Sequence, residues 1–168
     1  MTAAVLCYNR LQVVTTNYGV IMLQVGQSAP DFELPDADME MVSLCGFKNR
    51  KNVVLYFYPR DDTPGCTMEA IDFSDLQDEF DSLDTVVIGV SMDDFLSHGS
   101  FRDKHGLAMQ LLADVDAEAC GRYGVLHEKE RDGRTKTCIQ RSTFIIDKRG
   151  KLKHALYGVS PRGHAAEV

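Results

Sequence analysis

YPRDDTPGCTMEAI, residues 58–71, sets a single cysteine into a Pro/Gly-rich corner between two apolar segments. Upstream, NVVLYFY (52–58) is a near-continuous apolar run, the pattern of a central strand covered on both faces. Downstream, Met68, Ile71, Phe73, Leu76 and Phe80 recur at helical spacing and predict a helix over 66–80. Crossovers between parallel strands are right-handed, so such a helix packs back across one sheet face. Its N-terminus then emerges at the carboxyl end of the strand, where open α/β sheets place their ligands. Cys66 falls at that point.

Working outward, short strands are expected at 31–34 and 41–44, with a turn over Pro35–Asp38. A buried strand follows at 85–91, a helix at 94–105, a strand at 110–113 and a short helix at 117–123 ended by Gly124. The run HEKERD (127–132) reads as a solvated loop. Two strands, 142–147 and 151–157, are joined by the hairpin turn Lys148-Arg-Gly150. Strand–helix–strand, a further helix, then an antiparallel hairpin make an α/β fold. It is a thioredoxin-like α/β sandwich, a central mixed β-sheet flanked by helices.

The chain has 168 residues, 44% hydrophobic and 26% charged, which suits one globular domain placed at 22–168. Residues 1–21 read as a poorly ordered extension. Arg10, Gln12, Thr15, Thr16 and Asn17 break up any membrane span or signal peptide, and Met22 is the more natural start of the domain. The net charge of −7 argues against nucleic acid or an anionic membrane as a partner. Five scattered cysteines, Cys7, Cys45, Cys66, Cys120 and Cys138, contain no C-x-x-C. A disulfide scaffold or zinc site is therefore not expected, and a reducing cytoplasm is. His98 and His105 share a helix face but have no metal-ligand spacing around them, so no metal and no cofactor are predicted.

A free thiol has a pKa of about 8.5 and is mostly protonated at neutral pH. Unpaired backbone N–H groups and the positive end of the helix dipole favour its anion at a helix start. Pro64-Gly65 stiffens the turn and lets backbone approach closely. Thr63 brings a hydroxyl suited either to a bound oxygen or to capping the helix. Asp61 and Asp62 oppose ionisation, and no compensating cation lies within the motif. Spacing excludes several chemistries. A dithiol needs a second cysteine at 69, which is Glu69; a C-x5-R phosphatase loop needs arginine at 72, which is Asp72; and no histidine has the surroundings of a papain-like base. An activated thiolate reducing a peroxide O–O bond survives this elimination.

At Pro59-Arg-Asp-Asp-Thr63-Pro-Gly-Cys66 the chain resembles the peroxiredoxins, and YFYPRDDTPGCTMEA resembles their bacterioferritin comigratory protein, or Q-type, subgroup. Gly26–Phe32, Val90-Ser91 and Arg141–Asp147 are similar to that subgroup too. The resemblance implies a thiol-dependent peroxidase acting on hydrogen peroxide and organic hydroperoxides, in antioxidant defence. It implies Cys66 as the peroxidatic nucleophile, Thr63 bonding the peroxide, Pro59 walling the pocket and Arg141 as the missing cation. Read on its own, Arg141 is also compatible with a surface salt bridge beside a strand.

Two features depart from the pattern. The position of the common resolving cysteine is Ile71, and the next helix has no cysteine either. Cys45, Cys120 and Cys138 are weak internal candidates. Cys45 and Cys120 read as packing, and an odd offset on a shared strand would point Cys138 away from Arg141. A one-cysteine cycle recycled by thioredoxin, or by glutaredoxin/glutathione, is therefore expected, in a monomer. The segment 163–168 also resembles the start of a helix that continues further in the family. Two rival functions are a peroxide sensor passing its oxidation on, and a non-enzymatic thioredoxin-fold binding module.

Overall fold

A computed structural model of the chain describes residues 22–168, so the expectation for 1–21 lies outside the described residues. Five strands form the central sheet: β3 (Asn52–Phe57), β4 (Thr85–Ser91), β5 (Gln110–Ala113), β8 (Ser142–Ile146) and β9 (Leu152–Tyr157). Their spatial order is β5-β4-β3-β8-β9. β3, β4 and β5 run parallel, while β8 and β9 join antiparallel, which makes the sheet mixed as expected. A small ribbon, β1 (Glu33–Pro35) with β2 (Met41–Ser43), lies outside it.

Side chains alternate across a strand, and β3 shows why its sequence is apolar throughout. Val53, Leu55 and Phe57 enter one core with Cys120, Tyr123 and Phe144; Val54, Tyr56 and Tyr58 enter the other with Cys66, Phe73 and Phe101. The sheet separates these two cores. The second is covered by α1 (Pro64–Asp75), α2 (Gln77–Ser82) and α3 (Phe95–His105), and α5 (His164–Glu167) packs on α1 through buried Ala165. α4 (Glu118–Arg122) lies against the first.

Two expectations need correction. The helix expected over 66–80 is two helices, because Leu76 leaves helical geometry at φ −96°, ψ 11°. The supposed loop at 127–132 is strand β6 (Leu126–Arg131), paired with β7 (Arg134–Ile139) in an exposed hairpin. Asp132 and Gly133 form its turn with φ of 54° and 73°. Asp-Gly between pairing segments is the usual sequence of such a two-residue turn, a signal that the charged run concealed.

Candidate active site

Pro64 opens α1 at the position where a missing N–H costs nothing, and its fixed φ is already helical. Gly65 and Cys66 complete the first turn, whose N–H groups have no carbonyl within the helix to meet. Gly65 packs beside Arg141 and Pro161, which stand at ordinary contact distance from its Cβ position. A methyl group there would sit 3.5 Å from Arg141 Nη2 and 3.4 Å from the Pro161 ring. Cys66 is 2% exposed, a sulfur nearly closed off from water.

Arg141, 75 residues further along the chain, reaches this sulfur from the start of the strand next to β3. It sits in the break between β7 and β8, and Ser142, next to it, pairs with Phe57 at the carboxyl end of β3. Its Nη2 donates to Cys66 Sγ at 3.3 Å, and its Nη1 donates to Glu69 Oε2. The guanidinium therefore bridges two groups one helical turn apart. Because Arg141 is not on β7, the strand-parity argument about Cys138 does not apply.

Glu69, which in the sequence occupies the position of a dithiol's second cysteine, belongs to the site itself. It is fully buried, and burial pushes its carboxyl up to about 7, against the opposing pull of Arg141. An acidic residue one turn after the thiol, on the same helix face, was the available signal. Glu69 Oε1 and the Tyr56 hydroxyl are buried with no hydrogen-bond partner among the described residues. Burial, then Glu69 and Cys66, raise the Tyr56 phenol well above its ordinary value.

The other expected site residues stand along the loop. Thr63 is the N-cap residue of α1, but its side chain does not cap the helix; its hydroxyl donates to the Arg60 carbonyl at 3.1 Å. Pro59 is exposed where the chain leaves β3. The two aspartates feared for their charge are both engaged by α3. His98 Nδ1 lies 2.8 Å from Asp61 Oδ2, and His105 Nε2 lies 2.8 Å from Asp62 Oδ1.

The resolving candidates separate by position. Cys120 is buried in the core on the opposite sheet face, where burial and then Asp114 push its thiol far up. Cys45 is disulfide-bonded rather than a packing thiol. Its 3₁₀ turn, Leu44–Phe47, leads into the start of β3, the opposite end of that strand from Cys66. Cys138 is free and half-buried on the β6–β7 hairpin, opposite His127. Ile71 is partly exposed on α1.

The AhpC/TSA family model matches residues 25–155. The chain is 44% identical over 146 residues to a Coxiella burnetii protein named putative peroxiredoxin bcp, covering 87% of this chain and 96% of that one. Identity to peroxiredoxin Bcp of Bacillus subtilis is also 44%, covering 87% of this chain and 92% of that one. Among solved structures, it superposes on the bacterioferritin comigratory protein of Xanthomonas campestris, studied for alkyl peroxide reduction. The TM-score is 0.77 at 35% identity, covering 81% of this chain and 86% of the other.

Proposed function

We propose, from the premise that the chain belongs to the AhpC/TSA family and to its Bcp peroxiredoxins, that Cys66 is the peroxide-attacking nucleophile of a thiol-dependent peroxidase. One observation carries the assignment: Arg141 Nη2 donates to Cys66 Sγ at 3.3 Å, at the first turn of a helix. Guanidinium does not titrate in this range, and helix-start N–H groups add partial positive charge, so both favour the thiolate.

The thiolate attacks the terminal oxygen of ROOH. An S–O bond forms, the O–O bond breaks, and the leaving RO⁻ takes a proton to give the alcohol, or water when R is hydrogen. Arg141 stabilises the negative charge passing from sulfur to the departing oxygen, the kind of fixed donor that contributes most in a dry site. Thr63 spends its hydroxyl proton on the Arg60 carbonyl. Its oxygen lone pairs are left to accept the peroxide O–H and orient the attack. Pro59, exposed at the head of the loop, walls the mouth. The product is a Cys66 sulfenic acid.

Recycling uses an external thiol, since Ile71 stands where a resolving cysteine is common. The incoming thiolate attacks the sulfenic sulfur, releasing water and leaving a mixed disulfide, which a second thiol reduces. Thioredoxin is the reductant we assign, with glutaredoxin/glutathione as the alternative, for a monomer working in the cytoplasm. Support for organic hydroperoxides as substrates comes from the Xanthomonas relative.

The test is NADPH oxidation coupled through thioredoxin reductase and thioredoxin, with hydrogen peroxide and with an organic hydroperoxide. Wild type should turn over many equivalents and Cys66→Ser none. Full activity in the serine variant would overturn the assignment; a stall after about one equivalent would favour a sensor.

A further inference from the structure

The loop that delivers Cys66 carries two consecutive carboxylates, and either one unpaired would work against a thiolate on the same loop. α3 answers both. His98 and His105 are seven residues apart, two helical turns, and so lie on one face of α3. Each takes one aspartate: His98 takes Asp61, and His105 takes Asp62, whose other oxygen accepts from Lys104 Nζ at 2.6 Å. Those two bonds hold the Asp62 carboxyl below its ordinary range, His105 contributing most.

The inner pair is built with more care than a surface contact needs. His98 is 0% and Asp61 7% exposed. Asp61 also accepts from the Tyr58 hydroxyl at 2.6 Å and from the Ser97 hydroxyl at 2.8 Å. Its own N–H donates to Asp93 Oδ2 at 2.8 Å, and the Ser91 hydroxyl donates to that same oxygen at 2.7 Å. On the ring's other side, His98 Nε2 lies 2.9 Å from the Leu112 carbonyl, which can only accept. That nitrogen therefore carries a hydrogen. The 2.8 Å contact between Nδ1 and the carboxylate then needs a second proton between them. Whichever atom holds it, the Asp61–His98 pair has no net charge.

We propose that His98 and His105 are positioning residues for the peroxide reaction: α3 cancels the two loop carboxylates, so that neither of them opposes the pull of Arg141 on the Cys66 sulfur. The proposal rests on Cys66 being the nucleophile. Its test, however, reads ionisation rather than turnover. The thiolate of Cys66 is followed by its ultraviolet absorbance against pH, in a Cys120→Ala/Cys138→Ser background, with Cys66→Ser as the blank. His98→Gln leaves Asp61 as a lone buried carboxylate. The thiolate midpoint should rise by about one pH unit, a tenfold loss of thiolate below the midpoint, and the peroxide rate at pH 7 should fall in step. Asp61→Asn and the Asp61→Asn/His98→Gln double variant put no charge there, and the midpoint should stay where wild type has it. A merely structural role predicts the reverse, with every variant slowed and the midpoint fixed. That pattern overturns the proposal.

The exposed pair supplies an arm that does not depend on His98→Gln folding. His105→Gln combined with Lys104→Gln should raise the midpoint in the same direction, by roughly 0.3 unit, and 0.5 M salt should erase the shift because the Debye length falls to a few ångströms. No shift at low salt, or a shift indifferent to salt, overturns it equally. If the midpoints behave as expected while Cys66→Ser retains peroxidase activity, the electrostatic role stands and the assigned nucleophile falls.

Discussion

At the residue scale, Arg141 divides one guanidinium between a sulfur and a carboxylate. Lysine brings a single ammonium on a flexible stem and loses the planar fork that meets both partners. Arg141→Lys is expected to cut the second-order rate with peroxide by about 10²-fold, within the range for one preorganised donor. Stopped-flow mixing of the reduced variant with hydrogen peroxide measures it, and a rate within threefold of wild type would show that the guanidinium geometry is incidental. Glu69 carries a separate prediction in pH. Its carboxyl is raised from 4.5 to about 7 by burial. Between those values the folded chain holds a proton that the unfolded chain has released, so the fold binds more protons over that window. This contribution is fully present below pH 4.5 and is lost as pH rises through about 7, at about 1.4 kcal/mol for each unit of the raised value. Glu69→Gln removes the titration. Urea unfolding at pH 5 and pH 8 should therefore show a smaller loss of stability in the variant than in wild type, and equal losses would count against burial as the cause.

At the element scale, the corner between β3 and α1 was legible because independent signals agreed there: an apolar run, a Pro-Gly turn and an apolar helical period around one cysteine. Arg141 was placed by resemblance alone. No local pattern reports that a residue between two strands will meet Cys66, since that contact depends on Ser142 pairing with Phe57. Asp61 stands in the sequence as an uncompensated charge for the same reason; its partner His98 lies 37 residues away, on α3. The β6–β7 hairpin was missed because its exposed ladder, with Glu130 opposite Thr135 and Lys129 opposite Lys136, has no apolar alternation to betray it. β4 offers a sharper test of element packing. Gly89 pairs with Tyr56, and a Cβ there would meet the Tyr56 Cζ and hydroxyl at 2.8 Å and Leu111 Cδ2 at 3.0 Å. Tyr56 cannot simply swing away, for its ring stacks on Phe73 at 4.7 Å inside the core. Gly89→Ala should destabilise by about 1–3 kcal/mol, the usual cost of overpacking, read as a lower urea midpoint with unchanged slope.

At the scale of the whole molecule, the sheet acts as a partition between thiols. Cys66 belongs to the core under α1 and α3, and Cys120 to the core under α4, with the central strand β3 contributing alternate residues to each. A disulfide between them needs Cα atoms within about 7 Å, which requires parting the sheet at its middle. Cys45 lies beyond the other end of β3 and is already disulfide-bonded. Cys138 alone among the described free thiols is both off the partition and half-exposed. Intact-mass measurement after graded peroxide, without reductant, separates these routes. A one-cysteine cycle leaves a sulfenic acid with no internal thiol to capture it, so excess peroxide should carry Cys66 to the sulfinic level, two added oxygens with no loss of thiol pairs. Cys120→Ala should leave that course unchanged. If wild type instead loses two hydrogens at one equivalent, and Cys138→Ser abolishes that loss, then the hairpin swings to resolve Cys66 and the cycle uses two cysteines.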